Sequence, residues 1–238
     1  MCPAFEELDY RPTPLGASSL RRRRDPATGE DVFEVKLGEA FLMTSRFTAS
    51  EIALARLGLA AAGGQELAVV VGGLGLGYTA AAVLEEARVA SLLVVELFAP
   101  VIDWHRRHLV AQGRVLTGDP RCRLLQGDFF ALAAGAGGFD PEQPGRRFDA
   151  VLLDIDHSPD FLLDLATAGF YTPDGLAALL VHLLPGGVLA LWSNEPPDER
   201  FSARLALTFA TARAEPVTFD KPLQGRPVTQ TVYLAEAS

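Results

Sequence analysis

Val69-Val70-Val71-Gly72-Gly73-Leu74-Gly75-Leu76-Gly77-Tyr78 is the stretch on which the fold turns. An unbroken apolar run, Leu67–Val71, leads into it, as expected of a strand buried on both faces. The Ala-rich segment Tyr78–Ala87 leaves it and reads as a helix. Strand, glycine turn and helix together form the opening unit of a parallel α/β sheet. The glycines let the backbone turn tightly and approach a ligand, and the helix N-terminus favours polar or anionic groups. The spacing is Gly73-x-Gly75-x-Gly77, with Gly72 ahead of it. It is not Gly-x-x-x-x-Gly-Lys-Ser/Thr, which argues against a phosphate-cradling NTPase loop. Taken alone, such a cluster is also what a purely structural turn looks like.

Working outward, strands and helices alternate. Ser91–Glu96, Arg121–Leu125, Phe148–Asp154 and Gly187–Ser193 read as further strands. Pro100–Gln112, Gly175–Leu184 and Phe201–Ala212 read as helices, and Gly135–Gly145 as a Gly/Pro-rich loop. Pro216–Phe219 and Thr229–Ala235 read as a closing antiparallel pair. Upstream, Leu15–Arg24 and Val32–Phe41 flank the turn-rich Asp25–Gly29 and predict a β-hairpin. Ser50–Ala62 reads as a helix stopped by Gly63-Gly64. The expected fold class is α/β, a doubly wound Rossmann-like parallel sheet behind a small N-terminal β-rich region. The expected division is 1–62 for the hairpin region and linking helix and 63–238 for the nucleoside-binding domain.

Composition narrows the function classes. Of 238 residues, 49% are hydrophobic and 21% charged, enough to bury a sizeable core and unlike a disordered chain. The formal charge is −9, which disfavours nucleic acid and anionic membranes as partners. The Arg21–Arg24 run reads as a solvated strand edge. No uninterrupted apolar stretch reaches the roughly 18 residues of a membrane span, and the N-terminus lacks the pattern of a leader. A cytoplasmic protein is expected. Two cysteines, Cys2 and Cys122, make no disulfide framework. No His, Asp and Glu set has zinc-ligand spacing, so no metal is assigned.

The candidate site residues stand where strands end. Glu96 closes the second strand of the sheet, nineteen residues after Gly77. Its two oxygens suit a pair of ribose hydroxyls, or it is a solvated strand-end acid. Asp128, in Gln126-Gly127-Asp128, either accepts from an adenine amino group or caps a helix at Phe129. Asp154, Asp156 and His157 follow the fourth strand and are the candidates for catalysis. One of them would take a proton or orient a nucleophile. His105, His108 and His182 lie inside expected helices and read as surface or packing residues. There is no Gly-x-Ser-x-Gly, and neither Lys36 nor Lys221 follows a core strand, so hydrolase-elbow and Schiff-base chemistry are unsupported.

These residues, with Phe170-Tyr171 and Leu184-Pro185-Gly186-Gly187, resemble the class I S-adenosylmethionine-dependent transferases, and within them the spermidine synthase branch. The resemblance spans roughly Val32 to Leu191, and the hairpin resembles that branch's small N-terminal domain. It implies that Gly73, Gly75 and Gly77 approach the amino-acid or aminopropyl end of the cofactor. Glu96 would bind the ribose hydroxyls and Asp128 would lie near the adenine. Asp154 would match the strand-end aspartate that helps deprotonate the attacking amine. It also implies a homodimer contacting through the hairpin.

The acceptor half departs from the branch. Three residues on from Asp154 stands His157 in place of an Asp. In Phe41–Glu51, only Glu51 matches an acid of the branch's helix. The leading expectation is therefore a transferase using S-adenosylmethionine, with methyl transfer to a small-molecule N or O acceptor. The alternatives are aminopropyl transfer from decarboxylated S-adenosylmethionine to a polyamine, and a non-catalytic nucleoside-binding protein. A dinucleotide-dependent oxidoreductase is the remaining reading, against which the glycine spacing and Leu-Pro-Gly-Gly argue.

Overall fold

The computed structural model of the chain describes residues 5–26, 28–221 and 226–238. Cys2, and Ala27 of the expected hairpin turn, lie outside them. Two sheets are present. The smaller is antiparallel, in the order β1 (Phe5–Thr13), β2 (Gly16–Arg24), β3 (Asp31–Leu37) and β4 (Ala40–Thr44). The expected hairpin is β2 with β3, and β1 and β4 extend it on either side. The Arg21–Arg24 run lies along β2 and is neutralised within this sheet. Arg21 pairs with Glu7, Arg22 with Glu6, Arg23 with Glu34 and Arg24 with Asp31.

The larger sheet is built from β5 (Leu67–Gly72), β6 (Val89–Glu96), β7 (Cys122–Gln126), β8 (Phe148–Leu153), β9 (Leu183–Ser193), β10 (Thr211–Lys221) and β11 (Arg226–Glu236). Its order is β10-β11-β9-β8-β5-β6-β7. The five strands β7, β6, β5, β8 and β9 run parallel, and β11 enters antiparallel beside β9. A dinucleotide fold carries its sixth strand parallel and outermost. Here β11 is inserted, with β10 outside it, so the oxidoreductase reading loses its topology. The chain winds from β5 toward β7, then returns to the other side of β5 with β8. The crevice outside the carboxyl ends of β5 and β8 is thus the topological switch point, where ligands bind in such sheets.

Strand alternation supplies two cores. Val69 and Val71, Leu92 and Val94, and Ala150 and Leu152 face one side. There they meet helices α1 (Ala49–Ala61), α2 (Tyr78–Glu85), α3 (Ala99–Arg106) and α4 (Gly113–Gly118). Val70, Leu93, Val95, Val151 and Leu153 face the other. They pack on α5 (Phe129–Ala134), α6 (Pro173–Leu180), α7 (Glu199–Ala206) and the 3₁₀ segment Leu165–Tyr171. This is the doubly wound arrangement expected from the buried runs. The small sheet docks on the first side: the Trp104 indole N–H donates to Asp9 (2.7 Å), and Arg11 pairs with Asp103 (2.6 Å).

Three expected helix boundaries are corrected, and one helix is added. The helix expected over Pro100–Gln112 ends at Arg106, because His108 takes a left-handed backbone (φ 57°), and α4 starts afresh at Gly113. The helix expected to reach Leu184 ends at Leu180. Leu183 already pairs with Phe148, and Val188 with Ala150, so Leu184-Pro185-Gly186-Gly187 bulges out of the ladder. The helix expected over Phe201–Ala212 is Glu199–Ala206, started by the Asp198 side chain accepting from Arg200 N–H. Asp128 caps a helix at Phe129–Ala134 that the chain reading assigns only as a capping alternative.

Candidate functional site

One cavity opens at the switch point. Gly73, Gly75, Glu96, Asp128, Asp154, Asp156 and His157 all line it. Gly72 and Gly77 do not. Gly72 lies under the Phe129 ring, and Gly77 starts α2 beside His105 and Leu116. The strand-end residues are brought together because β5, β6, β7 and β8 are parallel neighbours whose carboxyl ends meet at one edge.

Gly73 needs to be glycine twice over. Its φ is +92°, and a Cβ there would run into the Asp154 carbonyl oxygen. Gly73→Ala is expected to displace the turn and abolish binding of a ligand in this cavity while leaving the sheet folded. Calorimetric titration beside a circular-dichroism spectrum checks both halves of that expectation.

Glu96 is buried at the end of β6. Its Oε2 accepts from Leu74 N–H (3.0 Å) and its Oε1 from Phe98 N–H (2.8 Å). Burial pushes its carboxyl up, against the backbone N–H groups of Phe98, Leu74, Gly75 and Leu97, which pull it down. These N–H groups fix the carboxylate at the edge of the cavity. Asp128 is exposed. Its Oδ1 caps α5 through Phe130 and Ala131 N–H (2.9 and 3.2 Å). The helix-capping alternative is therefore realised, on a residue that also lines the cavity.

The three acids and bases after β8 differ. Asp154 accepts from the Thr79 hydroxyl (2.6 Å), and burial pushes its carboxyl up to about 6. Asp156 is buried with both oxygens engaged, by Leu163 N–H (2.7 Å) and the Tyr171 hydroxyl (2.6 Å). It ties the cavity loop to the 3₁₀ segment. The His157 ring stacks on Phe161 at 5.1 Å between centroids.

Several contributors escape a reading of the chain. Met43 reaches the glycine turn, its sulfur accepting from Leu76 N–H (3.2 Å). Leu15, Val35, Leu42 and Trp192 line the cavity from afar. His105, read as surface or packing, is fully buried, and its Nε2 lies 3.0 Å from the Gly75 carbonyl. Burial lowers its pKa to about 4, so the ring is neutral and donates through Nε2–H. No signal short of the fold connects it to the turn. Cys122 is a poor nucleophile, since burial pushes its thiol up to about 12. Among the described residues no group of three His, Cys, Asp or Glu could hold a metal, and no helix is long and apolar enough to cross a membrane.

Fold and site together define an architecture: a 3-2-1-4-5-7-6 sheet order with a glycine turn and acids at successive strand ends. No family model matches the chain. A stretch of 142 residues is 30% identical to polyamine aminopropyltransferase 2 of Pseudomonas aeruginosa, covering 59% of this chain and 37% of that protein. The chain thus spans little more than a third of that relative's length. The spermidine synthase of Thermotoga maritima superposes with a TM-score of 0.71 at 16% identity, over 98% of this chain and 72% of its own. A spermidine synthase in complex with the transition-state analogue AdoDATO gives 0.73 at 15% identity, over 98% and 74%. The chain has the spermidine synthase-like fold, as the resemblance implies. The leading expectation of methyl transfer is corrected: the named relative is an aminopropyltransferase and both neighbours are spermidine synthases.

Proposed function

We propose that the chain transfers an aminopropyl group from decarboxylated S-adenosylmethionine to an amine, the reaction type that its relative's name carries. The observation behind this is the charge of the cavity. Glu51, Glu96, Asp128, Asp154, Asp156 and Asp164 line it, and among the described residues no Lys or Arg does. S-adenosylmethionine brings a carboxylate that would find acids and no cationic partner. The decarboxylated form brings only positive charge to the same wall.

When bound, this cofactor supplies a propyl carbon activated by cationic sulfur: the amine nitrogen bonds that carbon, the carbon–sulfur pair stays on sulfur, and the nitrogen sheds a proton. Gly73 and Gly75 give the backbone its close approach, and Glu96 is placed for the ribose hydroxyls. Asp128 stands at the third strand end, for the adenine. Asp154 takes the proton and hands it to solvent, and Phe161 orients His157 beside it. Residues 1–62 cover the cavity in this reading and 63–238 hold the nucleoside. Exposed Phe5, Tyr10 and Phe41 on the small sheet support a homodimer through that sheet.

Calorimetric titration with the two cofactors in parallel tests the reading. The decarboxylated form is expected to bind at least about tenfold tighter, since the extra carboxylate enters an acidic site. Tighter binding of S-adenosylmethionine would overturn the reading.

A further inference from the structure

The glycine turn is held from two sides, and the two holds meet on one peptide plane. Most of its backbone bonds stay local. Gly73 N–H donates to the Val95 carbonyl (2.9 Å), Leu74 N–H to Glu96 (3.0 Å) and Gly77 N–H to the Leu74 carbonyl (2.8 Å). The plane between Gly75 and Leu76 is held from further away. Its N–H, on Leu76, donates to the Met43 sulfur of β4 (3.2 Å). Its carbonyl, on Gly75, lies 3.0 Å from His105 Nε2 of α3. A carbonyl oxygen only accepts, so Nε2 carries the ring's proton.

The histidine is dear to keep there. Its ring is fully buried, and Nδ1 has no hydrogen-bond partner among the described residues. A buried acceptor without a donor is destabilising, and a leucine would fill the space without it. What a leucine lacks is the N–H that meets Gly75. The motif also makes room for the ring: a Cβ on Gly77 would stand 2.7 Å from His105 Cε1. Gly77 therefore serves the histidine, while Gly75 lines the cavity. Gly75 has a left-handed backbone (φ 47°). A peptide next to glycine turns over easily, since no Cβ opposes it. A donor at one end of the plane and an acceptor at the other stop that rotation.

We propose that His105 is a positioning residue for the cofactor: with Met43 it clamps the Gly75–Leu76 peptide and so fixes the cavity wall against which the aminopropyl end lies. The proposal rests on the aminopropyl-transfer reading and adds to it the group that sets the turn. His105 touches no ligand in this role, because it lies behind the wall and acts through the Gly75 carbonyl.

The test uses the full chain, with decarboxylated S-adenosylmethionine titrated calorimetrically below the melting temperature of each variant. His105→Leu is expected to weaken binding about tenfold, the loss of one hydrogen bond that orders the wall. His105→Gln, whose amide N–H reaches the place of Nε2–H, is expected to restore binding to within about threefold of the native chain. Met43→Leu releases the other end of the same plane. Combined with His105→Leu, it should fall well short of the product of the two single losses, since a plane already released has no second hold to lose. The ¹⁵N spectrum of the native ring is expected to show a protonated Nε2 and a bare Nδ1. Native-like binding by His105→Leu, equal losses in the leucine and glutamine variants, losses that multiply in the double variant, or a proton on Nδ1 would each overturn the proposal and leave aminopropyl transfer standing. Failure of the native chain to bind the decarboxylated cofactor would overturn both.

Discussion

Glu96→Gln is expected to weaken binding of decarboxylated S-adenosylmethionine by about a hundredfold to ten-thousandfold. The substitution keeps the shape of the side chain and removes its charge. In the native site both oxygens accept, from Leu74 and Phe98 N–H, and the carboxylate lines the cavity where the ribose hydroxyls are proposed to bind. Glutamine replaces one oxygen with an NH₂ group, which faces a backbone N–H it cannot accept from. Hydrogen bonds to a charged partner contribute about 1.5–3 kcal/mol each, and two are at stake, which gives the stated range. The backbone N–H left without an acceptor costs a further about 1–3 kcal/mol of folding stability. A melting curve without ligand measures that cost, and calorimetry at a temperature where the variant is folded measures the binding loss. A folded variant that binds as tightly as the native chain would remove Glu96 from the site.

Glu96 was also the easiest of the site residues to find, and the reason is topological. In a parallel sheet, a residue that closes an apolar run sits at the sheet's carboxyl edge whatever the rest of the chain does. Glu96, Asp128 and Asp154 share that property, and the cavity collects all three. Met43 and His105 do not share it. They arrive from β4 and α3, and their place depends on how helices and the small sheet settle on the large one. The same division holds for the elements. β5 and its glycine turn announce themselves by buried valines and a breaker. β1 is hidden because Glu6, Glu7, Asp9 and Arg11 give it the look of a loop. Its charges make sense only beside the arginines of β2, a cross-strand pairing absent from either strand alone. The end of α3 is hidden for a related reason: its left-handed residue is His108, not the glycine that would have marked it.

The acids counted along the chain and the charges that face one cavity point to different reactions. Counting acids along the chain shows some of the branch's acceptor carboxylates missing and favours methyl transfer. What bears on the cofactor is which charges face one cavity. Arg11 is turned to Asp9 and Asp103, Arg46 to Asp25, and Arg123 to Asp140 and Glu142. With those arginines turned elsewhere, no Lys or Arg among the described residues lines the cavity to receive a carboxylate.

Asp154→Asn is expected to lower the rate of thioether release by about a hundredfold to ten-thousandfold, the usual contribution of a positioned acid or base. Binding of the decarboxylated cofactor should change far less, because in the proposed reaction the strand-end carboxylate acts on the acceptor nitrogen. The pH profile separates this role from a structural one. Burial holds the Asp154 carboxyl at about 6, so it is protonated, and useless as a base, in acid. kcat/KM for the amine is expected to break at about pH 6 in the native chain and to lack that break in the variant. Stability should move the opposite way. A carboxyl raised from 3.8 to about 6 contributes stability that is full below pH 3.8 and is lost as the pH rises through 6. Above pH 6 the folded chain carries an ionised acid in a partly dry site. Asparagine can still accept from the Thr79 hydroxyl without that charge. The variant should therefore melt higher than the native chain at pH 8, by less than the about 3 kcal/mol that the full shift represents, because the cavity leaves Asp154 partly hydrated. Lost activity joined to gained stability at alkaline pH is the signature of a charge kept for chemistry rather than for folding. A variant that retains both the rate and the break at pH 6 would assign the proton to another group in the cavity.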